Sequence, residues 1–268
     1  MPSGIGLRYR LDHQVKQIGN VRRRSAVCTT MSAMSNTNTT YPAPAGPVPA
    51  YSAAPTGTGP WPGVVILHEG FGMTRDIVRI TDRFAANGFL SITPWLFHRG
   101  NKIACIVRTF EALRNGEGAA LEDIVAARHH LIADSRCIGK VGVIGFCMGG
   151  GFCLVLAPRG LFDASAPNYG DWPKDVSALP NSCPTVASYG AKDRMLKGAA
   201  ARLETLLAEG DVPRDVKEYA NVGHCFMNDL QTRGPLKVIQ SLARMSYSAP
   251  EAEDAWQRIF AFFGEHLN

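Results

Sequence analysis

The chain has 268 residues, 46% of them hydrophobic and 19% charged, enough for one large domain with a well-buried core. Its formal charge of +5 belongs to the first forty residues, where Arg8, Arg10, Lys16, Arg22, Arg23 and Arg24 face Asp12 alone; the remainder is neutral, so no basic face for nucleic acid is expected. Apolar runs such as 63–67 and 141–144 fall far short of the roughly 20 residues that a bilayer span needs, so a membrane is not expected as a partner either.

In chain order, residues 1–45 are rich in Arg, Ser, Thr and Asn and run into YPAPAGPVPA without hydrophobic periodicity. They read as a disordered basic extension ahead of a single domain over 46–268. An organelle-targeting leader would share this composition, as would an upstream extension with Met31 or Met34 as the true start, which is the reading we favour. From Pro60 onward, apolar strands alternate with amphipathic helices. The patterns predict strands over 63–67, 90–93, 140–144, 185–189 and 215–219, and helices over 76–86, 119–131, 149–156, 198–208 and 251–263. Strands of consecutive apolar residues separated by helices imply an α/β fold, a doubly wound and mostly parallel sheet flanked by helices.

Seven cysteines (Cys28, Cys105, Cys137, Cys147, Cys153, Cys183, Cys225) are odd in number and never spaced C-x-x-C. Neither a disulfide framework nor a zinc site follows, and a reducing, cytoplasmic setting fits best. His68-Glu69 is followed by Gly70-Phe71-Gly72, so the H-E-x-x-H zinc pattern fails at its second histidine, and no metal or other cofactor is expected. No feature of the sequence addresses oligomeric state directly, and a monomer is favoured.

The segment VGVIGFCMGGG, residues 141–151, carries the chemistry. Gly145-Phe146-Cys147-Met148-Gly149 matches the strand-to-helix nucleophile elbow G-x-S-x-G with cysteine in place of serine. The sharp turn needs glycines where a side chain would strike the neighbouring strand and helix. The helix N-terminus that follows favours a thiolate. A buried structural cysteine would account for Cys147 but not for the glycines around it. An acid and a histidine then follow in the order the elbow demands: Asp193 after TVASYG and His224 after DVKEYA, each beyond a predicted strand. His224 would take the thiol proton while Asp193 orients the imidazole. The Met148 N–H would supply one oxyanion donor and the Gly70 N–H, on the loop after the first core strand, a second.

LHEGFGM, ITPWLFHR, VGVIGFCMGGG, NYG, GAKD and GHCF, in this order over nearly all of 60–265, resemble the dienelactone hydrolases, a family of the α/β-hydrolase superfamily. The resemblance implies hydrolysis of an ester or lactone of small-molecule size by a Cys147-His224-Asp193 triad. It also implies a role for Glu69, which matches a glutamate that keeps the resting cysteine protonated and moves away when substrate binds. Arg99 matches one of two arginines that hold the substrate's carboxylate. At the position of the second stands Asn228; losing such a contact costs roughly 1.5–3 kcal/mol, so an altered substrate range follows. Trp95, Tyr169 and Phe226, with Phe97 and Trp172, are aromatics near strand ends that would line the pocket or pack in the core. Two rival readings remain: a thiol redox sensor or binding protein on the same scaffold, and a thioesterase or acyltransferase.

Overall fold

A computed structural model describes residues 35–230 and 245–268, all within one compact unit. Its eight-stranded sheet has the order β1-β2-β4-β3-β5-β6-β7-β8. The strands are β1 (Ser35–Tyr41), β2 (Val48–Ala54), β3 (Trp61–Leu67), β4 (Leu90–Pro94), β5 (Cys137–Phe146), β6 (Ala164–Asn168), β7 (Thr185–Gly190) and β8 (Arg214–Tyr219). The helices are α1 (Arg75–Ala86), α2 (Lys102–Asn115), α3 (Ala119–Ile132), α4 (Met148–Leu156), α5 (Ala199–Glu209) and α6 (Ala249–His266). The β1–β2 and β2–β4 pairings at one side of the sheet are antiparallel, and the other pairings are parallel. The doubly wound α/β architecture is the one the strand–helix alternation implied.

The central strands are apolar through their buried stretches, Gly63 to Leu67 and Val141 to Phe146, because both faces are covered there. Alternate side chains go to opposite faces: Val64, Ile66, Ile144 and Phe146 pack beneath α1 and α6 with Ile77, Phe84, Trp256 and Phe263. Val65, Leu67, Val141 and Val143 join Ile124, Leu131 and Phe152 of α3 and α4 on the other face. Among the described residues no helix is long and apolar enough to cross a membrane.

Four elements escaped the sequence patterns. β1 and β2 correct the expected boundary at residue 45: Tyr41 is fully buried and its hydroxyl donates to the Asp123 carbonyl at 2.8 Å, so the sheet claims residues from Ser35 onward. Their Thr-rich and Pro/Ala-rich composition hid an edge strand, β1, and its neighbour β2, which are stabilised by pairing rather than by apolar runs. Residues 1–34 lie outside the described residues. β6, ASAPN, is short and poor in β-branched residues, yet it is buried throughout between β5 and β7. α2 carries Ile103 and Val107 on its solvent side, which blurs its periodicity. Its ends are nevertheless signalled, by the Asn101 side chain accepting from the Ile103 and Ala104 N–H groups and by Gly116 at φ 74°.

Candidate active site

The parallel register brings the carboxyl ends of five strands to one level: Leu67 lies beside Gly145, Phe146 beside Asn168, and Gly190 beside Tyr219. The loops that leave these ends carry Glu69, Cys147, Tyr169, Asp193 and His224, in the crevice where open α/β sheets bind ligands.

β5 ends at Phe146, α4 begins at Met148, and Cys147 between them has φ 53° and ψ −115°. A non-glycine residue in that region is strained and persists only where its surroundings hold it. The holding is visible. A Cβ on Gly145 would lie 2.1 Å from the Gly149 carbonyl carbon, one on Gly149 would lie 2.3 Å from the Leu67 carbonyl oxygen, and one on Gly150 would lie 2.6 Å from the Asn168 carbonyl oxygen. Each glycine therefore lets α4 press against the neighbouring strand ends. The Cys147 N–H donates to the Asn168 carbonyl at 3.1 Å, tying the elbow to β6.

His224 and Asp193 are both buried, with Nδ1 and Oδ2 2.6 Å apart. Their loops are stitched together by Ala191 N–H to Tyr219 and Lys192 N–H to Val222 at 2.9 Å each, and the Met195 N–H donates to the other Asp193 oxygen at 2.9 Å. His224 Nε2 is buried without a direct hydrogen bond among the described residues, and the His224 side chain is electrostatically coupled to Cys147. Burial opposes charge on this imidazole, but Asp193 and Cys147 outweigh it and push its pKa up to about 10. The Cys147 thiol is held well below the ordinary range, first by the thiol of Cys225, then, against burial, by His224 and the Met148 N–H. The two groups favour a thiolate–imidazolium pair.

Glu69 is fully buried at the end of β3. Thr74, the N-cap of α1, donates its hydroxyl to Glu69 Oε1 at 3.1 Å while accepting from the Ile77 N–H at 3.2 Å. Oε2 has no partner among the described residues. Burial, assisted by the charges of Asp76 and Cys147, raises this carboxyl to about 7. His68, also buried, bridges the loops: Nδ1 donates to the Glu69 carbonyl at 2.7 Å and Nε2 accepts the Leu96 N–H at 3.1 Å. Burial lowers its pKa to about 4, which matches a neutral ring whose Nε2 serves as an acceptor. The sequence marks His68 only as the first half of a failed zinc pattern; its bridging role exists only once the loops after β3 and β4 lie side by side. Gly70 follows Glu69, and among the described residues only the Phe110 ring tip, 3.8 Å from where a Cβ would sit, approaches it.

The substrate-binding expectations fare differently. Arg99 is committed elsewhere: its two terminal nitrogens grip both oxygens of the fully buried Asp123 on α3, and one also donates to the Gly46 carbonyl. This corrects its assignment as a carboxylate clamp, because a guanidinium bound on both prongs by a buried carboxylate has lost the fork that a substrate would need. It borders a cavity of about 830 Å³ with Leu96, Cys105, Arg108, Thr109 and Asp123. Phe226 is corrected to a core residue, fully buried against Tyr169 and Tyr219. Tyr169, likewise buried and at φ 38°, supports the site from below: its ring meets His224 edge-on at 5.3 Å and its hydroxyl donates to Asn228 at 2.5 Å. The Asn228 amide N–H₂ in turn donates to Asp76 at 2.9 Å. Trp95 is 42% exposed and, with Met73, borders a cavity of about 500 Å³ beside β1 and β2. Among the described residues no cluster of side chains could hold a metal ion.

Known proteins share this arrangement of elements. The model of the dienelactone hydrolase family matches residues 48–267. The carboxymethylenebutenolidase of Rhodococcus opacus is 28% identical over 239 residues, covering 82% of this chain and 87% of that protein. Among solved structures, a dienelactone hydrolase-like promiscuous phosphotriesterase from metagenomic libraries superposes with a TM-score of 0.74 at 23% identity, over 88% of this chain and all of that one. The acylaminoacyl peptidase of Pyrococcus horikoshii gives 0.68 at 14%, over 89% of this chain and 42% of the peptidase, a likeness of fold alone. The chain belongs to the dienelactone hydrolase family.

Proposed function

We propose that this protein, as one α/β-hydrolase domain, hydrolyses carboxylic esters or lactones of small-molecule size through Cys147, His224 and Asp193. The observation that carries the reading is Cys147 in a strained, glycine-lined elbow, interacting with a buried His224 whose other nitrogen lies 2.6 Å from Asp193. The Cys147 thiolate attacks the carbonyl carbon and the C=O π electrons pass to oxygen. The resulting oxyanion is received by the Met148 and Gly70 N–H groups. As the intermediate collapses, the C–O bond to the leaving alkoxide breaks and the His224 imidazolium gives it a proton. The neutral imidazole then takes a proton from water as that water attacks the thioester, and Cys147 leaves as the thiolate. Asp193 holds the tautomer and the charge of His224 throughout.

The charge balance revises the part expected of Glu69. With its pKa raised by burial to about 7 in a site where the thiol is lowered, Glu69 titrates near neutrality: in its protonated form it leaves the thiolate unopposed, and in its ionised form it opposes it. With Arg99 bound to Asp123, and Asn228 bound between Tyr169 and Asp76, the favoured substrates are uncharged esters or lactones rather than dicarboxylate-type ones.

The test is hydrolysis of p-nitrophenyl acetate before and after one equivalent of iodoacetamide, with mass mapping of the label. Loss of turnover in step with labelling at Cys147 is the expected result, and Cys147→Ala lowers turnover by more than about a thousandfold. Turnover that survives complete labelling of Cys147 would overturn the assignment.

A further inference from the structure

His68 takes no part in the proposed hydrolysis, yet it is fully buried with both ring nitrogens engaged. The elbow rests on its backbone. A Cβ on Gly149 would lie 2.3 Å from the Leu67 carbonyl oxygen and 2.9 Å from that of His68, so the first turn of α4, directly after Cys147, packs on the end of β3. Beyond that point the chain closes a tight turn: the Glu69 carbonyl accepts the Gly72 N–H at 3.1 Å, and the Gly72 carbonyl accepts the Thr74 N–H at 2.8 Å. His68 Nδ1–H donates to the same Glu69 carbonyl at 2.7 Å, while Nε2 accepts the Leu96 N–H at 3.1 Å from the neighbouring loop. Phe97 meets the imidazole edge-on at 4.8 Å and lies 3.3 Å from where a Cβ on Gly72 would sit. Burial holds the pKa of the ring at about 4, so this pattern of one donor and one acceptor is fixed through the neutral range.

We propose that His68 is a positioning residue for the oxyanion hole: through the Glu69 carbonyl it holds the Glu69–Gly70 peptide plane so that the Gly70 N–H faces the carbonyl oxygen of an ester at Cys147. The inference rests on the hydrolase reading and adds to it the device that keeps one of its two oxyanion donors aimed. The Glu69–Gly70 bond is trans, and in a planar trans unit the N–H points opposite to the C=O. Two donors, His68 Nδ1–H and the Gly72 N–H, fix the Glu69 oxygen; they thereby fix the Gly70 N–H. That N–H makes no hydrogen bond among the described residues and is free to receive charge. A donor stabilises an oxyanion fully only if it is already aimed, because a peptide that must rotate as the charge develops gives up part of the gain in reorganisation. Gly70 cannot aim its own plane, since it has no side chain and its backbone is permissive. The Met148 N–H needs no such anchor, as it belongs to the glycine-clamped elbow.

The test separates the two ring nitrogens in the full-length protein. His68→Asn carries an amide N–H₂ near the place of Nδ1 and keeps the donor to Glu69; His68→Gln reaches the Leu96 N–H with its side-chain oxygen and loses that donor. His68→Leu, which fills the buried space and removes both contacts, replaces His68→Gln if the latter does not fold. Three rates are compared: hydrolysis of p-nitrophenyl acetate, inhibition by phenyl trifluoromethyl ketone, whose adduct with a thiolate carries an oxyanion, and alkylation of Cys147 by iodoacetamide, which forms none. His68→Gln or His68→Leu is expected to lower kcat/KM about a hundredfold and to weaken the ketone by a similar factor, with alkylation within about twofold of wild type. His68→Asn is expected to stay within about threefold of wild type in all three. A His68→Gln or His68→Leu protein as active as wild type, a loss matched by equally slow alkylation, or a loss as deep in His68→Asn would overturn the proposal and leave the hydrolase reading standing. Wild type that hydrolyses no ester would overturn both.

Discussion

Two loops leave neighbouring regions of the same sheet, one after β5 and one after β4, and each carries a residue that the sequence marks for the site. The connection after β5 is the single residue Cys147, clamped by Gly145, Gly149 and Gly150, so Cys147 has one place to go. The loop after β4 is longer, and Arg99 at its far end has turned to Asp123, a fully buried carboxylate on α3. The difference is one of constraint. Where backbone contacts leave no freedom, sequence position dictates where a side chain lies; where several bonds separate a charge from its backbone, the nearest buried counter-charge decides, because leaving that charge unpaired is costly.

The comparison breaks first at the elbow. Gly149→Ala places a methyl 2.3 Å from a central-strand carbonyl and is expected to cost about 4 kcal/mol in urea unfolding and to abolish hydrolysis. A well-folded, active variant would show that the turn is not clamped. On the arginine side, Asp123→Ala strands the guanidinium and is expected to cost about 3 kcal/mol. The Arg99→Met/Asp123→Leu double variant should return to within about 1 kcal/mol of wild type with an unchanged KM. A raised KM in that double variant would restore Arg99 to the substrate site.

Glu69 sharpens the contrast, as a charge that solves burial by keeping its proton. Its carboxyl is raised from 4.5 to about 7, so the folded state binds this proton more tightly than the unfolded state. The stability linked to it is complete below pH 4.5 and is lost as pH rises through 7. Glu69→Gln is therefore expected to gain up to about 3 kcal/mol over wild type at pH 8, relative to pH 4, in paired urea titrations, and to flatten the activity profile between pH 6 and 8. An unchanged pH dependence of stability would count against a protonated Glu69. The smallest effect is expected at Asn228, whose truncation to alanine frees the Tyr169 hydroxyl and Asp76. It should cost about 2 kcal/mol and lower kcat more than it raises KM, because Tyr169 supports His224.

The sequence by itself determined the strand–helix alternation, the elbow at Cys147 and the chain order of Asp193 and His224. These are local matters: an apolar run, a glycine beside a sharp turn, a loop beyond a strand. Only the tertiary structure decided that β1 and β6 are strands at all, because five or seven residues of weak propensity are held by partners on either side or at the sheet edge. It also decided that Phe226 packs in the core, that His68 ties two loops, and that Asn228 belongs to Tyr169 and Asp76. Each of these depends on which residues from distant parts of the chain arrive beside one another. A buried polar group takes the partner the fold brings to it, and no periodicity along the chain encodes that partner.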